Sequence, residues 1–264
     1  MPQTSADRQT ISQVVDLLRP NRRLLFVTGA GLSADSGLPT YRGHDGLYQA
    51  DRLTRHGVPI EQALSESMLA ARPDIAWEFL LELEQATRGA TFNRGHQVIA
   101  EMENHFRAVW TLTQNIDGLH RSAGARHVID IHGDLHELRC IGCAHRVRVR
   151  DYTHLTLPPR CPLCSDIVRP DIVLFGEEVS SEKLATFWRE FSRGFDLVFS
   201  VGTSSLFDYI TVPIELAHAA GIPTVEINPE CTRVSHLMDF KITGGAAEVL
   251  DDLWNRYQTW CPWV

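Results

Sequence analysis

Four short apolar segments, each followed at once by a turn of glycine or polar residues, constrain this fold more than any other feature of the sequence. The segments are residues 24–28, 108–113, 196–201 and 223–227, and their aliphatic, β-branched and aromatic content is typical of buried strands. Helical patterns separate them, and this alternation indicates a doubly wound parallel sheet. Because ligands bind at the edge where such strands end, the residues after each strand are candidate site residues.

The first of these turns is a glycine-rich loop with the sequence Gly29-Ala30-Gly31-Leu32-Ser33-Ala34. A G-x-G-x-x-A turn between a strand and a helix lets the backbone approach a pyrophosphate, whose charge the first N–H groups of the helix bind. The acidic residue that completes a dinucleotide fingerprint about 20 positions later is not found at the end of a second strand. The loop therefore favours a nucleotide ligand without establishing it.

Polar side chains follow two further strands of the predicted sheet. The second strand runs into Gln114, Asn115 and Asp117, and a short strand at 128–131 ends on His132. Amide, carboxylate and imidazole groups at one sheet edge indicate a ligand-binding or catalytic site. The alternative is that Asn115 and Asp117 cap a helix and that His132 is a hydrogen-bonded core histidine.

Four cysteines form two C-x-x-C pairs separated by 17 residues, and they are Cys140, Cys143, Cys161 and Cys164. This spacing is typical of zinc ribbons. Four thiolates complete the tetrahedral coordination of zinc and leave no open position, so the predicted ion is structural and does not activate water. A redox role is disfavoured because neither pair opens a helix after a strand.

Composition limits the class of protein. The chain has 264 residues, 44% of them hydrophobic and 22% charged, as expected for a globular protein that can bury a large core. No apolar run approaches the roughly 18 residues of a membrane span, and the N-terminus lacks a signal peptide's apolar core. A net charge of −8 argues against binding nucleic acid through phosphate contacts. We therefore expect a cytoplasmic protein without a membrane or nucleic-acid partner.

A helical module is predicted between the glycine loop and the second strand. Residues 59–88 have a helical pattern, with Ile75, Phe79, Leu80 and Leu83 on one apolar face. A separate helix is predicted for residues 215–220, before the last strand.

Together these motifs resemble the sirtuin family of NAD-dependent protein deacylases, in the family's order and over nearly the whole chain. The segments that carry the resemblance are Gly29-Ala30-Gly31-Leu32-Ser33, Ser36-Gly37-Leu38-Pro39, Tyr41-Arg42, Thr113-Gln114-Asn115-Ile116-Asp117, Ile131-His132-Gly133, the four cysteines, Phe175-Gly176-Glu177, Gly202-Thr203-Ser204 and Ile227-Asn228. The resemblance implies an α/β fold: a doubly wound parallel (Rossmann-like) sheet with a smaller zinc-ribbon plus helical module.

The expected division of the chain follows from these segments. Residues 1–45, 90–135 and 172–264 are assigned to the Rossmann-like NAD-binding domain. Residues 46–89 are assigned to the helical part of the small domain, and residues 136–171 to its zinc-ribbon part.

The resemblance also implies roles for individual residues. The NAD phosphates are held by the residues Gly29, Ala30, Gly31, Ser33, Gly202, Thr203 and Ser204. Asn228 holds the adenosine ribose. The cofactor-binding residues around the nicotinamide ribose and carboxamide are Arg42, Gln114, Asn115 and Asp117, with Tyr41 beside Arg42. The catalytic set is His132, Asn115 and Asp117, and one structural zinc ion is bound by the four cysteines.

The implied reaction begins with cleavage of the nicotinamide glycosidic bond, and the acyl-lysine oxygen captures the ribose C1′ as an alkylamidate. His132 then accepts a proton from the ribose hydroxyls, which suits an imidazole because its unperturbed pKa lies near working pH. The products are nicotinamide, the deacylated lysine and O-acyl-ADP-ribose. The substrate is an acyl-lysine protein or peptide, which pairs as an added strand with the substrate-binding residues Val173, Phe175, Gly176 and Glu177.

Two departures from the family pattern bear on the substrate. Members that remove acidic acyl groups carry a Tyr and, three positions later, an Arg on a helix of the small module, and residues 74–84 contain no such pair. We therefore expect neutral acyl groups, acetyl first. The stretch after Ser204 is about four residues longer than usual, and a harmless surface extension is the favoured interpretation. The alternative is that this loop, which lies near the peptide site in relatives, selects a substrate other than an ordinary acetylated tail.

Other functions remain open on the same motifs. The runner-up is protein ADP-ribosyl transfer or NAD hydrolysis, in which a protein nucleophile or water captures C1′. A non-catalytic NAD-sensing scaffold is a third interpretation, which the intact Asn115, Asp117 and His132 disfavour. The oligomeric state is not predicted, and a monomer is assumed.

Overall fold

The computed structural model describes residues 4–40 and 56–260, which form nine strands, ten α-helices and one 3₁₀-helix, Ser235–Leu237. The strands are β1 (Arg23–Thr28), β2 (Ala108–Thr113), β3 (Val128–Asp130), β4 (Gly133–Cys140), β5 (Arg146–Arg148), β6 (Val168–Ile172), β7 (Leu197–Val201), β8 (Thr224–Ile227) and β9 (Phe240–Ile242). The helices are α1 (Ser5–Val15), α2 (Ala30–Ala34), α3 (Ile60–Ala63), α4 (Glu66–Ala71), α5 (Pro73–Thr87), α6 (Arg94–Met102), α7 (Leu119–Ser122), α8 (Ser181–Ser192), α9 (Asp208–Ala219) and α10 (Ala246–Trp260).

Six of the strands form one parallel sheet in the order β3-β2-β1-β7-β8-β9. The chain builds the sheet outward from β1 to β3, returns to the other side of β1 with β7, and continues outward to β9. The order therefore reverses between β1 and β7, and ligands of doubly wound sheets bind at such a reversal. The predicted fold class, a Rossmann-like parallel sheet with a smaller cysteine-containing module, is confirmed.

Helices cover both faces of this sheet, because successive strand residues point to opposite sides. Leu24 and Phe26 of β1 pack in one apolar cluster with α1, α6 and α10. Leu25 and Val27 pack in another cluster with α8 and α9. All four side chains are at most 1% exposed, so burial on both faces fixes the central strand.

The other three strands form an antiparallel sheet in the order β5-β4-β6. One side of it packs on α3, α4 and α5 through an apolar cluster that contains Trp77 and Leu135. The fully buried Trp77 donates a hydrogen bond from Nε1 to the carbonyl of Val168, 3.0 Å away. Since Pro73 begins α5, the helix starts where a missing N–H costs nothing.

One predicted element boundary is wrong. The helix expected at residues 215–220 begins at Asp208, inside the stretch interpreted as a surface extension. Pro213 lies within α9, where it removes the N–H that would reach the carbonyl of Tyr209. The start of this helix is therefore set by packing and not by the proline.

Within the described ranges, none of the helices has both the length and the apolar character needed to span a bilayer.

Candidate active site

The carboxyl ends of the parallel strands lie at one level. Thr28, the last residue of β1, is in register with Thr113 of β2 and Val201 of β7. Val201 is in register with Ile227 of β8, and Thr113 with Asp130 of β3. The turns after these five strands therefore meet at one edge of the sheet.

The turns after β1 and β7 touch each other. The Gly31 N–H donates to the Gly202 carbonyl at 2.8 Å. A Cβ on Gly31 would lie 2.7 Å from the Gly202 Cα, and Gly202 itself has φ of +57°. Only glycine permits this approach, because real Cβ atoms do not come so close to backbone. At these two turns the edge of the sheet therefore exposes backbone atoms without side chains.

Asn115 is nearly fully buried behind the glycine loop. Its Nδ2 donates to the Gly29 carbonyl at 3.0 Å and lies 3.1 Å from the Ser33 Oγ. Ser33 in turn donates to Asp117 at 2.7 Å, and the second oxygen of Asp117 accepts from the Leu119 N–H at 2.9 Å. Burial raises the pKa of Asp117 above its ordinary value. This network ties the loop after β1 to the turn after β2.

Thr203 connects the turns after β2, β7 and β8. Its Oγ1 accepts from Gln114 Nε2 at 2.6 Å, and its carbonyl accepts from Asn228 Nδ2 at 3.1 Å. The adjacent Ser204 is exposed. The side chains of Gln114 and Asn228 are thus held at the sheet edge by a common partner.

His132 follows β3, and its two ring nitrogens have different partners. Nδ1 lies 2.9 Å from the Gln114 carbonyl, which can only accept, so Nδ1 carries the proton and Nε2 carries the lone pair. The Tyr209 hydroxyl lies 2.6 Å from Nε2 and therefore donates to it. Burial lowers the pKa of His132 to about 4, with a further lowering from Lys183 and an opposing effect of the Gln114 carbonyl. The imidazole is consequently a neutral base near pH 7.

A cavity of about 1200 Å³ lies between the sheet edge and the small module. The predicted site residues that line it are Gly29, Ala30, Gly31, Gln114, Asn115, His132, Val173, Phe175, Gly176, Glu177, Gly202, Thr203, Ser204 and Asn228. Ser33 and Asp117, both within the described chain, stand behind Asn115 and outside this lining. Tyr41 and Arg42 lie outside the described residues.

The segment after β6 connects both modules to the cavity. The Val173 N–H donates to the His132 carbonyl at 2.9 Å. Phe175 exchanges backbone hydrogen bonds with the turn before α4, through the Leu64 carbonyl at 3.0 Å and the Glu66 N–H at 3.1 Å. The segment is therefore fixed between the sheet and the helical module.

The Glu177 carboxylate holds this segment from within. It accepts from Nη2 of the buried Arg169 at 3.0 Å and from the Leu174 N–H at 2.8 Å. The Arg169 guanidinium and the N–H donor lower the pKa of Glu177 against the opposing effect of burial. An ionised Glu177 is thus part of the turn that carries Phe175 and Gly176.

The four cysteines come together beside the three-stranded sheet. Their Sγ atoms all lie within 4.8 Å of one another, and the shortest separations are 3.4 Å between Cys140 and Cys164 and 3.6 Å between Cys143 and Cys161. Tetrahedral zinc with bonds of about 2.3 Å requires sulfur atoms about 3.8 Å apart. The four thiols are free, and their arrangement fits one structural zinc ion.

Comparisons with known proteins agree with this geometry. The family model described as "Sir2 family" matches residues 29–207. NAD-dependent protein deacylase 2 of Pseudomonas aeruginosa is 46% identical, covering 91% of this chain and 94% of that protein. The chain belongs to the Sir2 family. The family that the sequence motifs resemble, the sirtuins, is therefore confirmed.

Solved structures extend the Sir2 comparison to ligands. A Sir2 homologue in complex with NAD has a TM-score of 0.82 and 30% identity, covering 98% of this chain and 96% of that chain. A Sir2 complex with a p53 peptide and NAD has a TM-score of 0.79 and 25% identity, covering 93% of this chain and 98% of that chain.

Two features of this Sir2 chain escaped the sequence reasoning. Tyr209 contacts His132, although the stretch around it was interpreted as a harmless extension, and that interpretation is wrong. Leu83 lines the cavity from α5, together with Leu64 from the end of α3. The apolar pattern identified Leu83 as buried but could not indicate that it faces the site.

Proposed function

We propose that this Sir2 chain is an NAD-dependent protein lysine deacylase that transfers the acyl group of an acyl-lysine to ADP-ribose. One observation carries the proposal: a neutral histidine, the glycine turns and an apolar wall share one cavity. The relatives with 46% and 42% identity, from Pseudomonas aeruginosa and Pseudomonas syringae, are named NAD-dependent protein deacylase 2.

NAD is the co-substrate, with its phosphates on the bare backbone of the two glycine turns. Gly29, Ala30 and Gly31 form one side of this cradle, with Ser33 behind them, and Gly202, Thr203 and Ser204 form the other. The N–H groups at the start of α2 favour negative charge there. Asn228 binds the adenosine ribose, while Gln114, Asn115 and Asp117, with Tyr41 and Arg42, surround the nicotinamide ribose and carboxamide.

His132 is the base that takes the proton of a ribose hydroxyl. Its proton-free Nε2 faces the cavity, and its lowered pKa keeps it neutral at working pH. A general base must be unprotonated to act, and burial keeps His132 in that state over the physiological range, while it also lowers the basicity of the imidazole. Asn115 and Asp117 assist by holding the glycine loop and the turn after β2 in one arrangement.

The acyl-lysine enters the cavity past Phe175, and Val173 with Gly176 offers backbone to the peptide. The acyl group is neutral, acetyl first, because Leu83 and Leu64 present only apolar atoms to this end of the cavity. A carboxylate there would lose its hydration without gaining a cationic partner from these two side chains. The four-cysteine cluster binds zinc as a structural element, outside the reaction.

The test is nicotinamide release from NAD with and without an acetyl-lysine peptide. The wild-type chain releases nicotinamide only with peptide, and His132→Ala lowers turnover by about 10²–10⁴. His154→Ala, a change of an exposed histidine in the small module, serves as the control. Release without peptide would instead favour NAD hydrolysis or ADP-ribosyl transfer. Binding of NAD without any release would favour an NAD-sensing scaffold.

A further inference from the structure

The cavity contains a hydroxyl next to the base to which the reaction above assigns no role. Tyr209, the second residue of α9, places its hydroxyl oxygen 2.6 Å from His132 Nε2. Both side chains line the same cavity as Asn115 and the glycine turns. The contact therefore lies where a substrate hydroxyl has to meet the base.

The imidazole has no second position at which to accept a proton. Nδ1 is occupied by the hydrogen that it donates to the Gln114 carbonyl, so the only lone pair in the ring plane is on Nε2. The Tyr209 O–H points at that lone pair. A substrate hydroxyl therefore reaches His132 either by displacing Tyr209 or through it.

Tyr209 is held too firmly for easy displacement. Its ring stacks on Phe207 with centroids 5.4 Å apart and planes 9° from parallel. Both rings lie edge-on to His132, at 5.6 Å for Phe207 and 5.7 Å for Tyr209. The next residue, Ile210, is fully buried and anchors the backbone of this helical turn.

The loop before the helix is equally constrained. Ser205 has φ of +53°, a left-handed conformation that is costly for serine, and it is fully buried. Its N–H donates to Thr203 Oγ1 at 3.1 Å, next to the Gln114 contact. The segment from Ser205 to Tyr209 thus connects the turn after β7 to His132.

We propose that Tyr209 is a proton relay between the ribose hydroxyl and His132, an inference that rests on the proposed deacylase function. The ribose O–H bond breaks as its proton moves to the Tyr209 oxygen, and the Tyr209 proton moves to Nε2. The ribose oxygen uses the freed electron pair to attack the acyl carbon of the intermediate. Tyr209 ends neutral, and His132 ends as imidazolium.

The chemistry of the phenol fits this role. After donating to Nε2, its oxygen still has lone pairs that accept a hydrogen bond from another O–H. Burial raises the pKa of Tyr209 to about 12, so the group keeps its proton at working pH and acts as a neutral carrier.

The test compares Tyr209→Phe, which keeps the ring and its stack on Phe207, with Asp208→Asn as a matched control. Asp208 is the exposed neighbour of Tyr209 in the same helical turn and is not part of the cavity lining. Two rates are measured on each protein. One is single-turnover formation of deacylated peptide, and the other is exchange of labelled nicotinamide into NAD, which precedes proton removal by His132.

For the relay, we expect Tyr209→Phe to slow deacylated-peptide formation by about tenfold or more, within the range of general acid–base catalysis. Nicotinamide exchange stays at the wild-type rate, and Asp208→Asn changes neither. Product formation by Tyr209→Phe at or above the wild-type rate would overturn the relay. Tyr209 would then only cover Nε2 of His132. An equal loss of both rates would overturn it in favour of a structural role. A wild-type chain without peptide-dependent nicotinamide release instead refutes the deacylase function itself, before any variant is compared.

Discussion

The two sheets of this molecule are stabilised differently. The parallel sheet has apolar clusters on both faces, and its central strand β1 is almost completely buried. The three-stranded sheet packs on helices on one side, while all three residues of its edge strand β5 are exposed. Two of the cysteines, Cys140 and Cys161, belong to the apolar cluster between the three-stranded sheet and these helices. The large sheet can therefore fold on hydrophobic burial, whereas we expect the small one to depend on the metal as well.

The cavity lies between these two regions, and each region contributes different side chains to it. The parallel sheet supplies the polar groups, held by hydrogen bonds that cross from one strand end to the next. The small module supplies apolar walls through Leu64 and Leu83. On the proposed function, the parallel sheet carries the catalytic groups, and the small zinc-binding module selects the substrate.

The largest effect is expected from loss of zinc, which should unfold the small module and leave the parallel sheet folded. Cys164→Ser, or removal of zinc by a chelator, unfolds the small module and abolishes activity, because binding of a structural metal is coupled to folding. Hydrogen exchange would show loss of protection in β4–β6 with retention in β1, β2 and β7. Leu163→Ala is the control, since this neighbour is 75% exposed and offers no ligand atom. Full activity and an unchanged melting temperature without metal would show that the zinc assignment is wrong.

A smaller effect is expected from crowding the glycine turns of the large half. Gly31→Ala places a Cβ 2.7 Å from the Gly202 Cα and drives the two turns apart. Overpacking of this kind costs about 1–3 kcal/mol of folding free energy, and we expect NAD affinity to fall as well. Calorimetric titration with NAD and thermal unfolding measure the two quantities. Unchanged NAD affinity would mean that the turns do not form the phosphate site.

The preference between acetyl and succinyl groups tests the role proposed for the small module. The wild-type chain should remove acetyl faster than succinyl by about tenfold or more, since burying an unpaired carboxylate costs at least 1–3 kcal/mol. Leu83→Arg should reduce this ratio by supplying a cation, while the volume-conserving Leu83→Met should leave the ratio unchanged. Competition between the two acyl peptides gives the ratio directly. Efficient desuccinylation by the wild-type chain would refute the prediction of a neutral acyl group.

The smallest effect concerns buried histidines in the large half. Burial lowers the pKa of His96 to about 4 and that of His120 well below its ordinary value. Between pH 6.5 and about 4 the unfolded chain therefore binds more protons than the folded chain, and stability falls as pH is lowered through this window. At pH 5 we expect His96 to account for a loss on the order of 1–2 kcal/mol relative to pH 7.

The pH effect can be separated from loss of zinc. His96→Gln should remove part of the pH dependence of denaturant unfolding, because glutamine does not titrate. Metal content is measured at each pH, so that acid release of zinc from the thiolates is identified. An identical pH dependence in wild type and His96→Gln would exclude His96 as a source.

Much of the larger half could be predicted from sequence, because its strands are apolar and end in recognisable turns. The strand at 24–28 and its glycine turn correspond to β1 and α2, and the strand at 196–201 corresponds to β7. The fold class and the four-cysteine cluster were predictable for the same reason: period and spacing specify them. The domain boundaries and the roles of the site residues remain predictions.

The contacts between distant segments were not predictable. The Ser33–Asp117 and Gln114–Thr203 hydrogen bonds join residues 84 and 89 positions apart, and no local pattern reports them. Tyr209 was missed because its direction depends on where α9 starts. That start is fixed by burial of Ile210 and by the turn at Ser205, which outweigh the interior proline.

The most direct test of the central proposal is to identify the products of a single reaction by mass spectrometry. With NAD and an acetyl-lysine peptide, we expect nicotinamide, deacetylated peptide and O-acetyl-ADP-ribose in equal amounts. Free ADP-ribose with the peptide still acetylated, or ADP-ribose attached to protein, would contradict acyl transfer and assign this cavity to NAD hydrolysis or ADP-ribosylation.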